Sequence, residues 1–264
     1  MKYGAMNLPI KPVIDEFEQL GKLGFDYIEL TMDAPECTPE KILKCKNAIK
    51  DLIQTYGLGL IAHLPTFISI ADLYESIRKA SIDENLKALE AGVELGIKKF
   101  VLHPGTIHGL GKQVKSQAHR NADKSLMAIL SRARELQVTV CIENMFPETH
   151  GATEVHDFED MFLKYNDLRL TLDIAHAHIG TSRNRSSEFI KRFPGRLAHV
   201  HISDNYGRED NHLPIGAGMI YFGRIFKELK MIGYDDTMTL EVFSRDRDYL
   251  KISRDKTAQL WHDA

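Results

Sequence analysis

Nine histidine, aspartate and glutamate residues stand at or just beyond the ends of short apolar runs. The segments that carry them read AHLP, LHPG, IEN, LDIAHAH, HVHISDN with the following EDNHLPIGAG, and LEV. The residues are His63, His103, Glu143, Asp173, His176, His201, Asp210, His212 and Glu241. Imidazole and carboxylate groups without thiolate suit zinc, manganese, cobalt or iron. Because nine donors exceed the four that one tetrahedral ion needs, two or three neighbouring ions could share a bridging carboxylate.

The elements that must position these residues are predicted to be eight strands separated by helices. The expected strands are 3–6, 27–30, 58–62, 100–102, 139–142, 170–172, 197–202 and 238–242. Several runs, such as VTVCIEN, are continuously apolar, which is typical of parallel strands buried on both faces. Eight such strands could form a closed barrel or an open doubly wound sheet.

The placement of the nine residues favours the barrel. In a closed (β/α)8 barrel, a TIM barrel, the C-terminal ends of the strands converge on one mouth, whereas an open sheet would spread them along an edge. No G-x-G-x-x-G follows the first strand, which weakens a dinucleotide-binding sheet. We therefore expect an α/β protein, a single barrel domain over residues 1–264, with its active site at the C-terminal ends of the strands.

The segments between the strands predict helices. The expected helices include 39–56, 76–95, 119–136 and 222–231. Thr38 would cap the first of them, with Pro39 at its first position, and Gly96 would end the second.

The composition is that of an ordinary globular protein, with 43% hydrophobic and 27% charged residues. A formal net charge of -3 offers no basic footprint for nucleic acid. Cys37, Cys45 and Cys141 form no C-x-x-C pair, so we expect no disulfide framework and a reducing compartment. No stretch approaches the roughly 20 apolar residues of a membrane span, which favours a soluble cytoplasmic protein without a membrane partner.

Other polar residues near the strand ends have more than one interpretation. His199 precedes His201 by two and shares its strand face, so we expect a core histidine or a support behind the site. Asn144 could bind substrate or hold its loop. His178 could contact substrate, and Arg208 could reach a substrate phosphate or be a solvated surface charge.

The glycines of PIGAG and the remaining histidines give weaker predictions. Gly216 and Gly218 in PIGAG resemble a phosphate-cradling turn, although a plain tight turn is the commoner reason for such a pair. The histidines that match no strand end are expected at the surface: His108, His119, His150, His156 and His262.

Taken in order and at their spacings, AHLP, LHPG, IENM, LDIAHAH, HVHISDN, EDNHLPIGAG and TLEV resemble the xylose isomerase-like barrel superfamily. That group joins sugar-phosphate isomerases and epimerases to the endonuclease IV type of abasic-site repair enzyme (AP endonuclease family 2). The resemblance is specific from the third strand to the eighth and general for the first two.

The resemblance implies two versions of the metal site. The endonuclease IV branch holds three zinc ions with nine ligands, and this chain matches all of them. One ion would be held by His63, His103 and Glu143, the second by Glu143, Asp173, His201 and Glu241, and the third by His176, Asp210 and His212. The sugar branch typically holds one ion, with residues matching Glu143, Asp173, His201 and Glu241. There the two glutamates act as acid and base, moving a proton at the carbon next to a carbonyl.

The surroundings of the site favour the sugar branch. The first strand reads KYGAMNLP, without the G-x-H-x-S-like pattern of the repair enzymes, and the loop TMDAPECTPE is acidic and would repel phosphates. We therefore expect a metal-dependent isomerase or epimerase acting on a sugar or sugar phosphate, with catalytic Glu143 and Glu241. The cofactor would be one to three divalent ions, zinc first, with manganese or another first-row metal as alternatives. An endonuclease IV-like phosphodiesterase acting on abasic DNA is the alternative, and a structural or ligand-sensing metal site is the third possibility.

Overall fold

A computed structural model describes residues 1–149 and 151–264, so His150 lies outside the described residues. Within them, eight parallel strands close into a barrel in the order β1 to β8, and β1 pairs with β8. The strands are β1 (Lys2–Met6), β2 (Tyr27–Thr31), β3 (Gly59–His63), β4 (Lys99–Leu102), β5 (Thr139–Glu143), β6 (Arg169–Asp173), β7 (Leu197–Ile202) and β8 (Thr237–Leu240). The chain is thus a single (β/α)8 TIM barrel, and all eight expected strands are confirmed with ends shifted by two residues at most.

The helices that cover the outside of the barrel lie between the strands and after β8. They are α1 (Val13–Lys22), α2 (Pro39–Lys44), α3 (Lys46–Tyr56), α4 (Glu75–Glu94), α5 (Lys115–Glu135), α6 (Val155–Lys164), α7 (Ser186–Arg192), α8 (Phe222–Met231) and α9 (Asp248–Asp263). Short 3-10 helices occupy Gly109–Val114, Pro147–Thr149 and His176–His178 in the loops after β4, β5 and β6. Among the described residues, no helix combines the length and hydropathy that a membrane span requires.

The expected helix 39–56 is divided in two. Its start is as expected, since the Thr38 hydroxyl accepts a hydrogen bond from the Lys41 backbone N–H and Pro39 occupies the first position. The expectation of one continuous helix is wrong, because Cys45 leaves helical geometry with φ -96° and ψ 5°. On either side of this break, α2 packs against α4 and α3 packs against α1.

Alternation along the strands determines which residues enter the barrel. Side chains two apart on a strand share a face, so His63, Glu143, Asp173 and His201 lie one layer above Ile61, Cys141, Thr171 and His199. The larger apolar core lies between the strands and the helices, and Tyr27, Ile61 and Val101 form a separate small cluster. The strands β3, β5, β6 and β7 therefore each carry a site residue at or next to the C-terminal end, with a second inward-facing residue beneath it.

The state of the cysteines and the exposure of the histidines outside the site are as expected. Cys37, Cys45 and Cys141 are all free thiols. Within the described part of the chain, His108, His119, His156 and His262 are exposed.

Candidate metal centre

The nine strand-end residues meet at the mouth of the barrel, and Glu143 lies at their centre. Its Oε2 atom is 3.3 Å from His63 Nε2 and 3.2 Å from His103 Nε2. Its Oε1 atom is 3.1 Å from His176 Nδ1 and 3.4 Å from His201 Nδ1. One carboxylate therefore joins histidines from the ends of β3, β4, β6 and β7, as a bridging ligand between two ions would.

A second group of donor atoms converges on His201 Nδ1. Glu241 Oε1 lies 3.1 Å from this nitrogen, Glu143 Oε1 3.4 Å and Asp173 Oδ2 4.0 Å. Ligands bound tetrahedrally at about 2.1 Å from an ion are separated by about 3.4 Å from one another. The spacing of these four atoms is therefore close to that of a divalent metal's ligand set.

A third group forms around Asp210 in the loop after β7. Asp210 Oδ2 is 3.2 Å from His176 Nε2 and 3.0 Å from His212 Nε2. His212 has the left-handed backbone φ of +48°, which is uncommon for a residue other than glycine. The main chain holds it there, because the Phe243 backbone N–H donates to its carbonyl at 3.3 Å. A strained backbone stabilised in this way is frequent at functional sites.

Backbone carbonyls orient three of the histidines so that Nε2 of each faces a carboxylate of the centre. His63 Nδ1 lies 2.9 Å from the carbonyl of the next residue. His176 Nδ1 lies 3.0 Å from the Asn144 carbonyl, and His212 Nδ1 lies 3.1 Å from the Glu241 carbonyl. A carbonyl only accepts, so each Nδ1 must carry a hydrogen, and Nε2 is the nitrogen that a metal ion would bind. Metal-binding histidines are oriented in this way.

Several buried atoms of the centre have no hydrogen-bond partner in the described residues. They are Glu143 Oε1, Asp173 Oδ2, His201 Nδ1 and Asp210 Oδ1. Buried polar atoms are nearly always paired, so such a group calls for a missing partner. The ion-pair partners of these carboxylates within residues 1–149 and 151–264 are all histidines, with no lysine or arginine. A bound cation fits the residues present, because it would satisfy these atoms together.

The pKa values show how crowded the negative charge is without a cation. Burial, followed by the nearby Glu241 and Glu143 carboxylates, raises the pKa of the Asp173 carboxyl to about 7. Burial also opposes ionisation of Glu143, but His201 and His103 outweigh it and hold the pKa of that carboxyl well below its ordinary range. The same buried cluster thus contains one carboxyl that resists ionisation beside another that is strongly ionised.

Asn144, His178 and Arg208, the three residues expected near substrate, differ in burial and in hydrogen bonding. The Asn144 side chain is fully buried, donates to the Asp173 carbonyl at 3.0 Å and accepts from the Asp173 backbone N–H at 2.8 Å. Of its two expected roles, the structure therefore favours holding the loop. His178 is half-buried with an unpartnered Nδ1, and Arg208 is exposed two residues before Asp210. Both stay candidates for substrate contact.

The buried carboxylates of Glu29 and Asp204 were not expected from the sequence. Glu29 on β2 is fully buried and hydrogen-bonded to both His199 and His201. Asp204 accepts hydrogen bonds from the backbone N–H groups of Gly216 at 2.9 Å and Ile220 at 3.1 Å. Because Asp204 occupies these donors, the PIGAG segment is a tight turn stabilised by a carboxylate. The signal for Glu29 was a charged residue inside the expected strand 27–30, YIEL.

Comparison with known proteins places this geometry in a family. The sequence model of the xylose isomerase-like TIM barrel matches residues 17–261, nearly the whole chain. The chain belongs to the xylose isomerase-like TIM barrel family. This barrel is similar to a structure described as a D-tagatose 3-epimerase-like protein, with 25% identity, a TM-score of 0.85, and coverage of 99% of this chain and 97% of the other.

Relatives of this xylose isomerase-like barrel carry more than one activity. An uncharacterised protein of Methanocaldococcus jannaschii is 28% identical, over 98% of this chain and 92% of its own length. An L-ribulose-5-phosphate 3-epimerase of Escherichia coli is 22% identical, over 88% of this chain and 82% of its own. A probable endonuclease 4 of Aquifex aeolicus is also 22% identical, over 83% of each chain. Sugar epimerases are thus among its homologues in both sequence and structure.

Proposed function

We propose that this protein is a divalent-metal-dependent epimerase or isomerase acting on a ketose or ketose phosphate. The observation that carries the proposal is the convergence of Glu143 Oε1, Asp173 Oδ2 and Glu241 Oε1 on His201 Nδ1. Similarity to a D-tagatose 3-epimerase-like structure, over 99% of this chain, and to an L-ribulose-5-phosphate 3-epimerase, over 88% of it, supports the substrate class.

The four residues Glu143, Asp173, His201 and Glu241 would hold the ion. When bound, a divalent ion polarises the substrate carbonyl and makes the hydrogen on the adjacent carbon more acidic. Zinc and manganese both suit this set of nitrogen and oxygen donors.

Glu143 and Glu241 are proposed to exchange protons with the substrate. They end β5 and follow β8, three positions apart around the ring, so they approach the site from different sides. One carboxylate takes the proton from the carbon next to the carbonyl, leaving an enediolate. The other, protonated, returns a proton to the opposite face and inverts the configuration. Proton transfer by positioned groups of this kind commonly contributes about 10²–10⁴-fold to the rate.

The test is hydrogen exchange at the reacting carbon, because it detects proton abstraction whichever product forms. The protein, loaded with Zn²⁺ or Mn²⁺, is incubated in D2O with D-tagatose, L-ribulose and L-ribulose 5-phosphate, and deuterium entry at carbon 3 is followed by NMR. We expect exchange and epimerisation with the wild type and loss of at least about 100-fold with Glu143→Gln. Glu148→Gln is the matched control, since Glu148 is an exposed carboxylate in the loop that follows β5. Equal exchange in Glu143→Gln and the wild type would refute the assigned role.

A metal-dependent phosphodiesterase is the second candidate, favoured by the third donor group. His176 Nε2 and His212 Nε2 both lie within 3.2 Å of Asp210 Oδ2. A site with three ions suits phosphoester cleavage, in which charge develops on both attacking and leaving oxygens. Nicking of a labelled duplex with one abasic site, lost in Glu143→Gln, together with no exchange on any ketose, would favour this candidate over the epimerase.

A further inference from the structure

A buried polar network lies inside the barrel, directly beneath the metal centre, with Glu29 at its middle. Glu29 Oε1 is 3.0 Å from His201 Nε2, and Glu29 Oε2 is 2.8 Å from His199 Nε2. The Thr239 hydroxyl also donates to Glu29 Oε2, and the Tyr27 hydroxyl lies 2.8 Å from Thr239 Oγ1. All five residues are buried, so these bonds are shielded from solvent.

The hydrogens of this network can be assigned from what each group is able to donate. An ionised carboxylate only accepts, so Glu29 requires a hydrogen on the Nε2 atom of both His199 and His201. Both oxygens of Glu29 face donors: Oε1 faces His201 Nε2, and Oε2 faces His199 Nε2 and the Thr239 hydroxyl. At the other side of His199, Nδ1 lies 2.8 Å from Thr237 Oγ1, whose hydroxyl can donate to it.

The assignment has a direct consequence for the metal centre. With a hydrogen fixed on Nε2, Nδ1 is the nitrogen of His201 that faces Glu143, Asp173 and Glu241 and that an ion held by them would bind. His201 thus uses the opposite nitrogen from His63, His176 and His212, whose Nδ1 hydrogens point to backbone carbonyls. A carbonyl cannot hold His201 in this state, because its Nε2 faces into the barrel, where a side chain must supply the acceptor.

We infer that Glu29 is a positioning residue of the metal centre, which acts through His201 by fixing the nitrogen that the ion binds. The inference rests on the metal centre of the proposed function and is independent of the substrate. Carboxylates that orient a metal-binding histidine in this way typically change metal affinity by about 10- to 100-fold when they are removed.

Glu29→Gln is the decisive variant, because it keeps the size of the side chain and replaces one acceptor with an N–H donor. If the amide donates to His201 Nε2, the hydrogen of His201 moves to Nδ1 and faces the ion. His199→Gln is the matched control. The glutamine amide can still donate to Glu29 as His199 Nε2 does, so the bond from Glu29 to His201 is kept.

The measurement is the Zn²⁺ dissociation constant of each purified protein, obtained by competition with a chromophoric chelator. Circular dichroism reports whether the metal-free variants are folded. We expect Glu29→Gln to bind Zn²⁺ about 10- to 100-fold more weakly than the wild type, and His199→Gln to bind as the wild type does. Should Glu29→Gln not fold, Glu29→Asp takes its place, since the shorter carboxylate cannot reach both histidines, and weaker binding is again expected.

Each outcome decides the inference. Unchanged Zn²⁺ affinity in the folded Glu29 variant overturns it and leaves the metal centre standing. Equal losses in the Glu29 and His199 variants also overturn it, because the network would then only support the fold. A wild type that binds no Zn²⁺ overturns both this inference and the metal centre of the proposed function.

Discussion

Acid should destabilise this protein through His199, a histidine with no exposed surface inside the barrel. Burial lowers the pKa of His199 to about 4, although the neighbouring Glu29 carboxylate opposes this effect. In the unfolded chain a histidine has a pKa of about 6.5, so between these values the unfolded state binds a proton that the folded state does not. The stability contribution is therefore complete above about pH 6.5 and is lost as the pH falls towards 4.

The size of the effect follows from the two pKa values. At about 1.4 kcal/mol for each pH unit, the full loss is about 3 kcal/mol, of which about 2 kcal/mol is lost by pH 5. For a chain of this size, 2 kcal/mol corresponds to a fall of about 4–8 °C in the unfolding midpoint.

The assay compares urea unfolding of the metal-free wild type and His199→Gln at pH 7 and pH 5, in the presence of a chelator. Glutamine does not titrate, and groups far from His199 contribute alike to both proteins. We expect the wild type to lose about 2 kcal/mol more than the variant between the two pH values. Parallel stability profiles for the two proteins would show that His199 does not titrate as the structure implies, and would refute the reasoning.

The remaining predictions concern packing, a buried ion pair and the metal. Glu16→Ala should lower the free energy of unfolding by about 3–5 kcal/mol in urea titrations, because it leaves the buried Arg247 guanidinium unpaired; a loss below about 1 kcal/mol would contradict this. Gly92→Ala should cost about 1–3 kcal/mol by thermal unfolding, since the added carbon would lie 2.5 Å from the fully buried Phe100 ring, and unchanged stability would mean that the ring can move aside. Chelation of a Zn²⁺-loaded sample should lower the unfolding midpoint and added Zn²⁺ should restore it, because an ion at 100 times its dissociation constant stabilises the folded state by about 2.7 kcal/mol. A midpoint insensitive to both treatments would argue against a bound ion.

The strands were predictable because burial on both faces leaves them as continuous apolar runs. The break at Cys45 was not, since the helical pattern of 39–56 continues through it. Its cause is tertiary: α2 packs against α4 while α3 packs against α1, so the two halves of the segment follow different neighbours. Such a choice of partners depends on distances that no local pattern contains.

The metal centre, too, was predictable in part. Barrel closure brings strand ends together, so the meeting of residues such as His63 and Glu241 followed from their positions alone. Glu29 reaches His199 and His201 across the barrel, 170 and 172 residues along the chain. Its placement depends on strand register and tilt. The role of Asn144 was open from sequence because its hydrogen bonds depend on how near the Asp173 backbone comes.

The carbonyl partners of the metal-centre histidines bear on how this site can evolve. Every amino acid supplies a main-chain carbonyl, so the orientation of His63, His176 and His212 survives substitution of the residue that provides it. His201 has no such protection, since its partner is the side chain of Glu29. A side-chain substitution that leaves the backbone in place therefore keeps the orientation of three histidines, whereas one mutation at Glu29 would remove the partner that orients the fourth.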